Sequence, residues 1–153
     1  MRVYKVLRKD AHGKRWSLLT GSHVENSVGA EATDFKIQYY VTKPSVARSK
    51  ALELGYGITV FYNRLDCLRF CSFGTTIDEE YSKNKIEIWE CEVEEEDVME
   101  LQLQCQSTGY KFTELIRFKQ NKRINKKLGW PEGTIMVKKL QLKRKILRRK
   151  IYA

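Results

Sequence analysis

The side chains with the clearest chemistry are the cations crowded into the last quarter of the sequence. Residues 117–153 contain 14 Lys and Arg and a single acid, Glu132, which gives this segment a net charge of +13. Cations at this density neutralise phosphates and release counterions, which gives affinity without sequence specificity. The candidate nucleic-acid-binding residues are Lys138, Lys139, Lys143, Arg144, Lys145, Arg148, Arg149 and Lys150.

Four of the aromatic residues in or near the same segment are candidates for base stacking. They are Tyr110, Phe112, Trp130 and Tyr152. Rings of this kind stack on unpaired bases beside a basic groove, but large rings serve packing first in most proteins. We therefore expect Phe112 and Trp130 to lie in the core.

The preceding part of the chain has the opposite sign, which leaves a second interpretation open. Residues 1–116 have a net charge of −3, and within them residues 78–100 carry 11 acids against Lys83 and Lys85. Such asymmetry indicates contact with a polyanion. Alternatively, the acidic and basic blocks are neighbouring strands whose exposed side chains pair with each other, which is modestly stabilising.

Sequence motifs for catalysis or metal binding are missing. The chain contains no GxxxxGK[ST], GxGxxG, GxSxG or HExxH pattern. The four cysteines are Cys67, Cys71, Cys91 and Cys105. They lack the CxxC spacing of zinc sites, and His12 and His23 are far from them in sequence. We expect four reduced, mostly buried thiols, no metal site and no cofactor.

The unit that organises the predicted fold is a strand followed by a helix, within residues 55–71. Two glycines open this unit, and a run of β-branched and aromatic residues follows. Asn63 can cap the helix, and Asp66, three residues later, completes a capping-box-like pair. An apolar stripe at helical spacing predicts the face that packs on the sheet. Its residues are Leu65, Leu68 and Cys71.

The remaining elements follow from alternation and turn residues. Further strands are predicted at residues 2–8, 14–20, 34–42, 109–118 and 134–142, the last interrupted at Lys138 and Lys139 by a bulge or an exposed edge. Residues 98–104 are predicted to form another strand or a helical turn. Ser45 is the expected cap of a short helix that Gly55 ends. Residues 21–33 form a predicted loop, and 72–84 a polar connection.

The clearest strand is predicted at residues 85–94, because apolar and acidic side chains alternate along it. Trp89, Cys91 and Val93 share one face. The acids Glu90, Glu92 and Glu94 share the other. Ile86 and Ile88 fall in the opposite phase, so either both faces are covered at that end or a bulge resets the register.

Together these elements predict an α+β fold: a mostly antiparallel, strongly twisted sheet with two short helices packed on it. The length of 153 residues favours a single domain, 1–153, that includes the basic C-terminal segment 117–153. No apolar run approaches the roughly 20 residues of a membrane span, and the N-terminal residues lack the apolar core of a signal peptide. We therefore expect a cytoplasmic protein that does not contact membranes.

Short segments spread over the chain carry a resemblance. They are residues 3–6 (VYKV), 57–61 (GITVF), 88–93 (IWECEV) and 130–134 (WPEGT). Their order resembles small uncharacterised proteins of bacteriophages. The resemblance implies no established activity, but it fits a protein that blocks a host factor by direct contact.

A second, more distant resemblance involves the glycine-led strand, the short helix and the Val/Glu-rich strand. This order is similar to the ADP-ribosyltransferase-like fold, whose members place an Arg or His, a Ser or Tyr, and a Glu around a nicotinamide dinucleotide. Tyr62 and Glu132 are the nearest candidates that the resemblance implies. It would make the protein a transferase or a nucleotide-binding protein.

The sequence therefore favours a non-catalytic binding module for nucleic acid or another polyanion, acting through the basic C-terminal segment. Whether the protein is an enzyme stays open. The alternatives are the ADP-ribosyltransferase-like or nucleotide-binding protein and the phage protein that inhibits a host protein.

Overall fold

The computed structural model describes residues 1–17, 37–76, 85–101, 130 and 132–146. Nine strands and two α-helices lie in these residues. In chain order they are β1 (Arg2–Lys9), β2 (Arg15–Ser17), β3 (Gln38–Tyr39), β4 (Ser45–Val46), α1 (Ser49–Glu53), β5 (Ile58–Phe61), α2 (Arg64–Thr76), β6 (Lys85–Glu92), β7 (Val98–Met99), β8 (Thr134–Val137) and β9 (Lys139–Ile146).

The strands form one sheet in the order β4-β9-β6-β1-β5-β8-β7, and β2 and β3 extend it from the end of β1. Every pair of strands in the described part of the chain is antiparallel. The predicted α+β class and the mostly antiparallel sheet are therefore confirmed, whereas the strong twist stays a prediction.

A single residue, Lys138, joins two strands, β8 and β9, that lie near opposite ends of this sheet. Strands β8 and β9 are separated in the sheet by β5, β1 and β6, which would place them roughly 19 Å apart in a flat sheet. They are nevertheless consecutive in the chain, with only Lys138 between them. The sheet must therefore curl until its ends meet. The interruption predicted at Lys138 is a bend at which the chain changes partner from β5 to β6.

The larger core fills the inside of this curl, and strands from around the whole sheet contribute to it. Its buried residues are Val3, Leu7, Tyr39, Ala47, Ile58, Val60, Trp89, Cys91, Val93, Val137, Leu140 and Leu142. They alternate with outward-facing residues along β1, β5 and β6, as the period of a strand requires. The curl is therefore stabilised by apolar burial rather than by the backbone alone.

A second core lies on the outer face, where α2 packs against β1, β5 and β6. Its buried residues are Val6, Phe61, Cys67, Ile86, Ile88 and Ile146. The rings of Phe61 and Phe70 lie 5.2 Å apart between centroids. Since Ile86 and Ile88 face this second core, both faces of β6 are covered at its first half. This is the first of the two alternatives that the sequence left open.

The prediction of which side of α2 packs on the sheet is wrong. Leu65 is 55% exposed and Leu68 is exposed as well, whereas Cys67 is fully buried. The helix turns Cys67 and Phe70 toward the sheet, because the small thiol permits close approach and the ring of Phe70 packs on Phe61. The helix also continues to Thr76, into the predicted polar connection. By contrast, the predicted cap is confirmed, since the Asp66 amide donates to Asn63 Oδ1 over 2.9 Å.

The predicted role of Ser45 as a helix cap is also wrong. Ser45 pairs with Leu140 in β4, and its hydroxyl accepts a hydrogen bond from the Tyr40 amide. Helix α1 begins only at Ser49. Non-local pairing with β9 outweighs the local capping preference here. Gly55 follows the helix with a φ of 86°, which confirms the predicted glycine stop.

Other predicted elements are shorter in the structure or lie outside the described residues. The strand expected at 34–42 contains only β3 within the described part, and the segment expected at 98–104 begins with β7. The loop at 21–33 and the strand at 109–118 lie outside the described residues. The described thiols of Cys67 and Cys91 are buried and form no disulfide, in line with the prediction of reduced, mostly buried thiols.

We predict that replacing Leu140 with alanine lowers the free energy of unfolding by about 2–5 kcal/mol, because Leu140 is only 1% exposed in the inner core. Leu65→Ala is the matched control, since the same atoms are removed from an exposed helical position. It should change stability by less than about 0.5 kcal/mol. Urea denaturation of both variants checks this, and equal losses would contradict the described orientation of α2.

Candidate nucleic-acid interface

The structure places the described members of the predicted basic site along one strand. Lys138 lies at the bend, and Lys139, Lys143, Arg144 and Lys145 follow in β9. All five side chains are exposed. The other predicted members, Arg148, Arg149 and Lys150, lie outside the described residues.

A bulge in β9 divides these cations between two faces. Glu90 pairs with Arg144, whereas the next residue of β6, Cys91, pairs with Leu142, so Lys143 is the extra residue. Because Arg144 is opposite Glu90, it lies on the outer face of the sheet. Lys139 shares that face, since it lies two residues before Gln141, the partner of Glu92.

Lys145 lies on the other face, opposite Trp89. Its ammonium nitrogen is 3.6 Å from Glu87 Oε2. Glu87 is buried and also accepts hydrogen bonds from Arg15 and from the Trp89 indole. Burial alone would raise the pKa of Glu87, but these hydrogen bonds and the nearby cations outweigh it and lower the pKa. This acid is therefore charged and shared between two cations.

The acidic and basic blocks are neighbouring strands, as the second interpretation of the sequence proposed. On the outer face, Glu90 Oε1 lies 3.4 Å from both Arg144 and Arg2. Arg144 is nevertheless 68% exposed and Lys145 is 48% exposed. Exposed ion pairs of this kind contribute only about 0–1 kcal/mol. The pairing therefore leaves the cations accessible to a phosphate.

A turn between β3 and β4 adds groups that the sequence analysis did not assign to the site. The Gln141 side-chain amide donates to the Val41 carbonyl over 3.1 Å. Lys43 holds its ammonium 4.2 Å above the ring centre of Tyr40. Only the non-local pairing of β4 with β9 brings this turn to the basic strand, so no local pattern could have revealed it.

Of the four aromatic residues named beside the basic segment, Trp130 is described, and it is half-buried. Tyr110, Phe112 and Tyr152 lie outside the described residues. The two residues implied by the ADP-ribosyltransferase resemblance come close in the backbone, because the Tyr62 amide donates to the Gly133 carbonyl, next to Glu132. Both side chains are exposed.

Comparison with known proteins adds no relative. No protein-family model, curated protein or solved structure matches this chain. The resemblances to bacteriophage proteins and to the ADP-ribosyltransferase-like fold therefore stay predictions from the sequence. No helix in the described part of the chain has the length and apolar character needed to cross a membrane.

The inside of the curled sheet also holds the side chain of Lys5, which is only 6% exposed. Its ammonium donates to the Thr59 carbonyl over 2.6 Å and lies 5.6 Å from the ring centre of Tyr39. Strand β1 pairs with β5 at Tyr4 alone, and the hydrogen bond from Lys5 adds a second contact between the two strands. Its role is therefore to join β1 to β5.

Burial lowers the pKa of Lys5 to about 8, from 10.5, because an ammonium is costly in a low-dielectric interior. Between these two pH values the unfolded chain binds more protons than the folded one, so the contribution of Lys5 to stability rises with pH. Below pH 8 both states are protonated and the full cost of burying the charge remains.

We therefore predict that raising the pH from 7 to 10.5 shifts the difference in unfolding free energy between wild type and Lys5→Met in favour of wild type by about 3 kcal/mol. Both proteins share all other titrations, which cancel in the difference. Denaturation at several pH values measures it, and a difference that does not change with pH would contradict the burial of a charged Lys5.

Proposed function

We propose that this protein binds nucleic acid or another polyanion, without catalysis, through the basic strand, which we define as residues 138–145. The observation that carries the proposal is the exposure of five cations within these eight consecutive residues. Lys43 extends the charge beside them. The predicted cations at 148–150 belong to the same proposal by their sequence alone.

The neighbouring acids reduce this positive charge but do not balance it. Within the described residues, the ion pairs of the basic strand involve only Glu87 and Glu90. The cations of these pairs, Arg144 and Lys145, are 68% and 48% exposed. A polyanion can therefore reach them, and it gains the entropy of counterion release with each phosphate contact. We expect the contacts on the outer face, which carries Lys139 and Arg144 and where the charge of Lys143 acts on Glu92.

The salt dependence of binding tests the proposal. We expect a labelled oligonucleotide to bind at low salt, with the logarithm of the affinity falling by about 0.7–0.9 per neutralised phosphate for each tenfold rise in salt. The double variant Lys139→Glu/Lys143→Glu should bind at least about tenfold more weakly, with a smaller salt slope. Fluorescence anisotropy measures both quantities.

Lys14→Glu/Lys9→Glu is the matched control for this double variant, because it reverses two charges at the opposite end of the sheet. Lys9 is paired with Lys85, at the other end of β6 from Glu92, and Lys14 lies in the exposed turn that follows β1. This control should retain most of the affinity. Absence of binding at low salt, or equal losses in both double variants, would overturn the proposal.

A substitution on the acidic strand gives a test of opposite sign. Glu90→Gln removes the carboxylate between Arg2 and Arg144, so these two cations become available to phosphates. We predict that the affinity for the oligonucleotide rises several-fold, and more strongly at low salt, where charge interactions are less screened.

Glu53→Gln on α1 is the control for this substitution, since Glu53 is exposed and has no ion pair with the basic strand among the described contacts. It should raise the affinity less than Glu90→Gln does. If Glu90→Gln leaves binding unchanged or weakens it, the outer face of the basic strand is not the contact surface.

A further inference from the structure

We propose that Tyr40 provides a stacking surface for unpaired bases, so that the basic strand binds single-stranded nucleic acid in preference to a duplex. This inference rests on the proposed function and adds the class of ligand. It follows from how the turn between β3 and β4 is held beside β9 and from what covers the ring of Tyr40.

The turn is fixed at both of its ends. The Tyr40 amide donates to the Ser45 hydroxyl over 3.1 Å, and Ser45 is buried opposite Leu140 of β9. In the middle of the turn, the Val41 carbonyl accepts a hydrogen bond from Gln141. Tyr40 therefore belongs to a segment with a set position beside the cations of the outer face.

The ring of Tyr40 is not used by the core. The preceding residue, Tyr39, is buried and shares a hydrogen bond of 2.8 Å with Ser17. Successive residues of an extended chain point to opposite sides, and Tyr40 is accordingly only half-buried. Two adjacent tyrosines thus have different roles, and the second presents its ring near the surface.

The cation over this ring shows that one ring face is open to a ligand. Lys43 is exposed, and its ammonium lies 4.2 Å from the ring centre of Tyr40. A cation occupies a ring face only where no apolar group covers it. A nucleobase stacks on such a face more strongly than an exposed ammonium binds it. The displaced Lys43 then contacts the adjacent phosphate.

This arrangement favours single strands for a geometric reason. In a duplex the bases already stack on one another, so an aromatic ring at the surface reaches only the sugar–phosphate backbone. An unpaired base can turn toward the ring while its phosphates contact Lys139 and Arg144. Combined aromatic and cationic contacts of this kind tolerate any sequence.

The experiment compares Tyr40→Leu with Tyr40→Phe against three labelled probes. The probes are an oligothymidylate of about 15 nucleotides, a duplex of equal length, and inorganic polyphosphate, which has charge but no bases. We expect wild type to prefer the oligothymidylate over the duplex. Tyr40→Leu should weaken its binding about tenfold, Tyr40→Phe should retain it, and polyphosphate binding should be the same in all three proteins.

The outcomes separate this inference from the proposed function. If polyphosphate and nucleic acid bind but Tyr40→Leu has no effect, or weakens all three probes equally, the stacking role is overturned and the proposed function stands. If no probe binds at low salt, both are overturned. Photocrosslinking of wild type with an oligonucleotide containing 5-bromouracil is a second test without a variant: a crosslink at Tyr40 supports the inference, and crosslinks confined to other peptides overturn it.

Discussion

The connection through Lys138 is the constraint on which the rest of the structure depends. Its amide donates to the Asp97 carbonyl and its own carbonyl accepts from the Ala47 amide, each over 2.8 Å. One residue thus joins β8 to β9 in the chain. Through its backbone it also forms hydrogen bonds with the residue before β7 and the residue after β4. Because this bend brings the sheet ends together, the sheet acquires an inside, filled by the larger core, and an outside. The helix α2 covers one part of the outside. The other part, formed by the charged residues of β6 and β9, is exposed to solvent.

On that solvent-exposed part, the arrangement of charges is a compromise between folding and the proposed binding. The acids of β6 reduce the repulsion among the cations of β9, which would otherwise oppose the pairing of these strands. Glu90 has two arginine neighbours, and neither is buried by the contact. The ion pairs therefore contribute little to stability but keep the cations at a set spacing. A surface of this kind retains a net positive charge while the sheet beneath it stays paired.

Local pattern was sufficient to predict the elements that depend on local interactions. The alternation along β1 and β6, the strand β5, the cap at Asn63 and the glycine stop at Gly55 all follow from neighbours in sequence. The elements that could not be predicted depend on distant partners. Ser45 is a strand residue because Leu140 lies opposite it, and the face of α2 is decided by its contact with the sheet. The candidate site divides in the same way: the cations are evident in the sequence, whereas Tyr40 and Lys43 join them only through folding.

The extra residue in β9 has a further consequence for how this protein can change in evolution. Before Lys143 the apolar residues Leu140 and Leu142 enter the inner core, and after it Ile146 enters the outer core beneath α2. A single strand therefore serves both cores, and only because its phase shifts by one residue in the middle. Without this bulge, a regular strand of the same residues would send Arg144 inward and expose Ile146 or Leu142. We expect β9 to tolerate the loss of Lys143, because Leu142 and Arg144 would then follow one another opposite Cys91 and Glu90, and every other residue would keep its present partner on β6.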